Sequence, residues 1–294
     1  MISSIIETIR EQMSDRFDLI GAKISVLKLS TPNSGKGPFS KVIFLLFKNS
    51  ESKPFICVKT VRCQADNATI EDAYQRLQSI EPLLAKSNFI DFFPKPLLLA
   101  HDADGIAWSA ETVCIGRRAE RSDYDTIYRS YTAEQLYLRQ HKTETTTCVD
   151  NVMKYLAQLE LSADEYETLW QFYGQIAKSE SDMLPVIPQH GDFTLDNIVI
   201  APTGVQIYDC ERFGQTDVAG YDIFQLLTRW TKHDATVNIG EKLQHYFDQL
   251  GQSGLASAEL IFLYVLIEFW FKKQAQVEPI AAASVMERYQ FLLS

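Results

Sequence analysis

The stretch QHGDFTLDNIVIAPTGVQIYDCE places His190, Asp192 and Asn197 at i, i+2 and i+7, with Asp209 at the end of the hairpin that follows. Phosphoryl transfer from a nucleotide asks for such a set. It needs a carboxylate to orient and deprotonate an attacking hydroxyl, and hard oxygen ligands for a Mg2+ bridging the phosphates. Asp192 suits the first task, and Asn197 and Asp209 the second. Two short paired strands would hold Asn197 and Asp209 at a fixed separation, as a small cation with strict geometry requires. Taken singly, an Asp after His-Gly is an ordinary turn residue and an Asn ahead of a strand an Asx-turn former. The joint spacing is what points to chemistry. A further chemical residue, Lys59, lies mid-strand in ICVKTVR among Ile56, Val58 and Val61. An ammonium in that setting is costly unless it meets anions.

The elements that must position these groups follow from periodicity. Residues 1–17 read as an amphipathic helix; Glu7 and Arg10 interrupt its apolar run, and it lacks the features of a signal peptide. Residues 24–29, 41–48 and 55–62 are rich in β-branched and aromatic residues and are separated by Pro, Asn, Ser and Gly, so an antiparallel sheet opens the fold. The spacing of Ile70, Ala73, Leu77, Ile80 and Leu84 predicts a helix, with Asn67 or Thr69 as its N-cap. Strands over 95–100 and 105–115 complete a β-rich first lobe, set at residues 1–113. Beyond it the pattern is helical over 133–142, 149–159 and 163–180, the last capped by Ser162, and again from Tyr221 onward. One β interruption, 197–201 and 205–209 around a Pro-Thr-Gly turn, breaks this second lobe of residues 114–294. The fold class expected is α+β, with two lobes.

Composition narrows the function classes. With 46% hydrophobic and 22% charged residues the chain is ordinary globular protein. Lys plus Arg number 28 against 38 Asp plus Glu, and the net charge of −10 opposes a phosphate-backbone footprint, so no nucleic-acid partner is expected. The cysteines, Cys57, Cys63, Cys114, Cys148 and Cys210, are spread without a C-x-x-C pair, which argues against a disulfide framework or zinc site and for a reducing, cytoplasmic location. The most apolar run, 260–271, contains Glu268 and is too short to span a bilayer, so no integral membrane segment is expected and the run reads as a buried helix.

The motif H-G-D-x-x-x-x-N, matched without a gap over residues 190–197, and the strand end Asp209-Cys210-Glu211 resemble the aminoglycoside phosphotransferase and choline kinase group, relatives of the protein kinases. The resemblance covers about residues 21–227. It implies a bilobal protein-kinase-like fold in which Asp192 is the catalytic base and Asn197 and Asp209 bind Mg2+. His190 would be structural, and Glu211 would either reach the metal's outer shell or cap the loop. By the same resemblance Lys59 holds the α- and β-phosphates and pairs with a glutamate of the following helix; Glu71 and Glu81 are both available, with Glu71 preferred. The loop at 30–41 would cover the nucleotide, with Ser34 near phosphate, and backbone groups between Glu111 and Val113 would take the adenine edge. Asp222 would either cap its helix or bond back to the catalytic loop, and the late helices, with Trp230, Tyr246 and Glu268, are where the family builds its acceptor cleft.

The activity so implied is an ATP- and Mg-dependent phosphotransferase acting on a hydroxyl of a small molecule (a sugar, amino-alcohol or aminoglycoside-like acceptor), with GTP left open as donor. Two other readings compete: a nucleotide-binding pseudokinase or scaffold, and a kinase acting on a macromolecule. The intact base and metal-ligand set argues against the first.

Overall fold

The structure, a computed structural model, describes residues 2–29, 41–85, 87–89, 91–177, 183–252, 255, 257–275 and 280–293. The chain forms two compact units, Met1–Ala119 with Asn197–Arg212, and Glu120–Asp196 with Phe213–Ser294.

In the first unit, α1 (Ile2–Phe17) is followed by β1 (Ile24–Leu29), β2 (Val42–Lys48), β3 (Ile56–Thr60), α2 (Asn67–Leu84), β4 (Pro96–His101) and β5 (Ala107–Glu111). The five strands form one antiparallel sheet in the order β1-β2-β3-β5-β4. Alternation assigns the two faces of this sheet. Val42, Phe44 and Leu46 of β2, Ile56 and Val58 of β3, and Trp108 and Ala110 of β5 pack with Ile5, Ile9 and Met13 of α1 in one core. The intervening residues, Ile43, Leu45, Cys57, Lys59, Ser109 and Glu111, therefore share the opposite face. A slip of one residue would bury the wrong set, so the apolar core fixes where Lys59 points.

The helix after β3 starts near the expected place, but Asn67 does not cap it. Its amide instead donates to Gly105 O (2.8 Å) and accepts from Ala107 N (2.8 Å), tying the start of α2 to the β4–β5 connection. Strand β5 also ends at Glu111 rather than continuing to residue 115.

A second, three-stranded sheet joins β6 (Arg117–Arg118) to the hairpin of β9 (Ile198–Ala201) and β10 (Gly204–Ile207). This sheet, with Ile207 N donating to Phe92 O (2.7 Å), groups the hairpin with the first unit. The expected division at 113/114, with the hairpin in the second lobe, is corrected accordingly. Gly116 lies against the backbone of Ile200, where any Cβ would collide, so the crossing admits only glycine.

The second unit comprises α3 (Tyr124–His141), β7 (Thr145–Thr147), α4 (Cys148–Gln158), α5 (Ala163–Ile176), β8 (Met183–Pro185), α6 (Tyr221–Trp230), α7 (Ile239–Gln249), α8 (Ser257–Gln274) and α9 (Ala282–Leu293). Helix α3 starts nine residues before the expected 133, because Tyr124, Ile127, Tyr128 and Tyr131 form a buried stripe that outweighs modest helix propensity. Ser162 caps α5 in a reciprocal capping box with Glu165. Helix α8 is the expected buried one, with every residue from Glu259 to Ile267 inaccessible. No described helix is long and apolar enough to cross a membrane.

Candidate functional site

The opposite face of the five-stranded sheet lines a cavity of about 550 Å³ within the first unit. Its walls are apolar at Ile43, Leu45, Val113 and Val199, and charged at Lys41, Lys59, Glu111, Asp209 and Glu211. Lys59 Nζ meets Glu111 Oε1 at 2.9 Å, with both side chains nearly buried. The register pairs Lys59 with Ser109 and Cys57 with Glu111, so this is a diagonal contact across adjacent strands on one face. Burial works against the Lys59 ammonium, but the carboxylates of Glu111 and Asp209 outweigh it and raise its pKa above the usual lysine value.

The expected partner, Glu71, is not the one found. Glu71 binds His101 Nε2 at 2.9 Å, and Glu81 is exposed. The face of α2 turned to Lys59 carries Ile70, Ala73, Tyr74 and Leu77, which share a small pocket with Lys59 and Glu111. Helical phase sets Glu71 to one side of that stripe, and the strand-borne Glu111 takes the role. Glu111 thus enters the site through its side chain, whereas the expectation concerned its backbone. Val113 also lines the cavity. Ser34 lies outside the described residues, as does the rest of its loop up to Ser40.

Lys41, not singled out from the sequence, forms an ion pair with Glu211. Burial holds its pKa down to about 8, against the nearby charge of Asp209. Cys57 and Cys114 also border the cavity, and burial together with Glu111 pushes both thiols up to about 12, so they stay neutral.

The hairpin presents its polar ends together. Tyr208 N donates to Asn197 O (3.0 Å), extending the ladder that pairs Ile207 with Ile198, and Asp209 follows directly. Asp209 has φ 65°, a left-handed conformation uncommon outside glycine and worth reading as a functional signal. Among the described residues no three His, Cys, Asp or Glu side chains form a ready-made metal cage. Magnesium needs none, since it is commonly held by one or two carboxylates together with substrate phosphate. The all-oxygen donors Asp209, Asn197 and Glu211 are of the right chemical kind.

The catalytic-loop motif begins in the second unit on a buried scaffold. Gly191 has φ 82°, which lets the chain turn sharply after His190. Asp222, in the first turn of α6, accepts from His190 N (Oδ2, 2.5 Å) and Gly191 N (Oδ1, 2.9 Å), and also from the Tyr131 hydroxyl. Burial raises the Asp222 pKa; His190 and these donors pull the other way. Asp192 N donates to His190 Nδ1 at 3.3 Å, which makes His190 a buried brace for the loop. Gln225 accepts from Phe193 N at 2.8 Å, and Gln189 Oε1 accepts from Asp222 N at 3.2 Å. Behind them Gln189 Nε2 donates to Gln135 Oε1 (2.8 Å), and Gln135 Nε2 to Glu134 Oε2 (2.8 Å). These glutamines belong to no motif, and nothing along the chain marks them beyond Gln189 adjoining His190.

Of the late residues associated with an acceptor cleft, Trp230 borders a cavity of about 480 Å³ with Asp125, Asp234 and Lys242. Tyr246 is instead fully buried and donates to Gln135 Oε1 at 3.5 Å. Glu268 is held by Lys272 (2.8 Å) and Arg288 (3.2 Å).

These features define a bilobal, protein-kinase-like α+β fold of the kind seen in aminoglycoside phosphotransferases and choline kinase. Among solved structures, the chain is similar to the choline kinase from Cryptosporidium parvum Iowa II, with a TM-score of 0.53 and 10% identity over 100% of this chain and 94% of that one. It is similar also to the GDP complex of wild-type aminoglycoside 2'-phosphotransferase-IIIa (TM-score 0.53, 11% identity, 95% of each chain). A third is the aminoglycoside phosphotransferase APH(3'')-Id from Streptomyces rimosus ATCC10970 (TM-score 0.52, 14% identity, 90% of this chain and 98% of that one). No protein-family model matches the sequence, and no curated relative matches it.

Proposed function

We propose that the protein is an ATP- and Mg-dependent small-molecule kinase that transfers the γ-phosphate to an alcohol. The observation that carries this reading is the first-unit cavity, where two lysines and three carboxylates line one side of an otherwise apolar pocket. An apolar wall suits a nucleobase, and convergent charges suit a polyphosphate with a hard cation. Lys59, kept cationic by Glu111, holds phosphate oxygens. Asp209 and Asn197 hold the magnesium, with Glu211 beside them; when bound, the ion neutralises charge on the phosphates. Asp192 orients the acceptor hydroxyl and takes its proton, and the hydrogen bonds that His190 N and Gly191 N donate to Asp222 preset the loop that carries it.

The donor is tested by thermal unfolding with ATP or GTP, each with and without Mg2+, for wild type and Asp209→Asn. A ligand that binds only the folded state raises its apparent stability. A metal-dependent rise in wild type that vanishes in Asp209→Asn supports the site, and no rise with either nucleotide at millimolar concentration overturns it. Transfer itself is tested with Asp192→Ala in an acceptor screen of aminoglycosides, amino-alcohols and sugars. Activity that survives this substitution removes Asp192 from the mechanism, and a folded, nucleotide-binding wild type that phosphorylates nothing moves the scaffold reading to the front.

A further inference from the structure

The cavity holds two lysines, and the family resemblance accounts for Lys59 alone. The two are held differently. Lys59 pairs with Glu111 at 2.9 Å, and Glu111 lies in a strand bonded on both edges, to β3 and β4. Both side chains are only about a tenth exposed, so neither has much room to turn away. Lys41 pairs with Glu211, which sits in the single 3-10 turn Cys210–Arg212 that follows β10. The Glu211 side chain is 31% exposed, against 10% for Glu111, so it has room to turn. Lys41 immediately precedes β2 and has Asp209, Lys59 and Glu111 within electrostatic reach.

From this contrast we infer that Lys41 is a second phosphate-holding cation, kept in place by Glu211 until nucleotide enters. The inference rests on the proposed nucleotide site and adds a residue to it. In the empty cavity Glu211 is the carboxylate paired with Lys41, with Asp209 and Glu111 adding negative charge nearby. A nucleoside triphosphate brings several such charges on closely spaced oxygens, so Lys41 exchanges one carboxylate for phosphate at a net electrostatic gain. Glu211 is then released from the lysine and becomes available, beside Asp209, to the divalent cation. The same carboxylate therefore opposes nucleotide binding when metal is absent and assists it when metal is present. Glu111, its side chain only 10% exposed beside an equally buried lysine, has less room for such an exchange.

This predicts effects of opposite sign, which a purely structural ion pair would not give. ATP binding is measured by calorimetry in EDTA and again in excess Mg2+, on wild type, Lys41→Met, Glu211→Gln and the double variant. In EDTA, Lys41→Met weakens binding about tenfold, the usual worth of one charge-assisted contact. Glu211→Gln, nearly isosteric, tightens it by about three- to tenfold because Lys41 loses its paired carboxylate, while Asp209 and Glu111 stay the same as in wild type. The tightening disappears in the double variant, where there is no lysine to release. In Mg2+, Glu211→Gln binds more weakly than wild type. Metal-free affinity that falls or stays level in Glu211→Gln overturns the inference while leaving the nucleotide site intact. If wild type binds ATP in neither condition, both the inference and the kinase reading fail. Urea unfolding of each variant separates a lost contact from a lost fold.

Discussion

The charged cavity of the first unit and the scaffold under the H-G-D loop of the second use similar residues in opposite settings. In the cavity, carboxylates face ammonium groups, and one pair is partly exposed. Under the H-G-D loop, the carboxylate of Asp222 is inaccessible and accepts from two backbone amides and a tyrosine hydroxyl, with His190 also acting on it electrostatically. The cavity-facing Lys41–Glu211 pair keeps some access to solvent, whereas the bonds under the loop are buried and fix its geometry. The difference separates carboxylates that face a cavity from one that is wholly built into the fold.

The comparison breaks most decisively at Asp222. Removing it in Asp222→Ala leaves two buried amides and the Tyr131 hydroxyl without their shared acceptor. A loss of about 3–5 kcal/mol in urea unfolding is expected, together with loss of transfer activity. Asp222→Asn is smaller, about 1–3 kcal/mol, because one amide oxygen remains while the NH2 group confronts a backbone N–H. If Asp222→Ala retained wild-type stability and activity, the loop would not depend on this carboxylate.

What could be read from the sequence depended on how far a signal reaches along the chain. The H-G-D-x-x-x-x-N run and Asp209 are legible because a loop and its hairpin are local, and alternation along ICVKTVR was enough to find Lys59. Its partner was not legible. Glu111 meets Lys59 only through the diagonal register of β3 and β5, so the sequence reading turns to the helix and prefers Glu71, which the phase of α2 sets aside. Lys41 escaped for the same reason, since its pair with Glu211 joins the start of β2 to the turn after a hairpin far along the chain. Asn67 shows the converse, a residue whose cap propensity is real but whose side chain finds stronger partners in Gly105 and Ala107.

A middle-sized effect sharpens the claim that the second unit's network is built for structure. Glu134 lies behind Asp222, bonded by Gln135 Nε2 and near Tyr131, Tyr246 and Asp222 itself. Burial pushes its pKa from 4.5 up to about 8. Between those values the folded chain keeps a proton that the unfolded chain has released, so this group's contribution to stability falls as pH rises through the window and levels off above 8. The slope is at most about 1.4 kcal/mol per pH unit. Asp222, also raised, adds in the same sense from its lower starting point. Glu134→Gln is expected to flatten the decline seen in urea unfolding at successive pH values from 5 to 8. Identical slopes in variant and wild type would show that Glu134 does not titrate there.

The smallest effect bears on the first unit, and its smallness is informative. Glu71→Ala removes a carboxylate from the helix that, by family resemblance, should anchor the phosphate-binding lysine. Here Glu71 holds His101 instead, with side-chain exposures of 35% and 47%. A pair so exposed contributes about 0–1 kcal/mol. Stability should therefore change little, and ATP affinity should be indistinguishable from wild type, because Lys59 keeps Glu111. Glu111→Gln leaves the Lys59 ammonium buried with its nearest counter-charge gone, and there affinity and stability should both shift. Should Glu71→Ala weaken ATP binding tenfold while Glu111→Gln does not, the helix rather than the strand supplies the operative partner, and the assignment of a sheet-borne anchor is wrong.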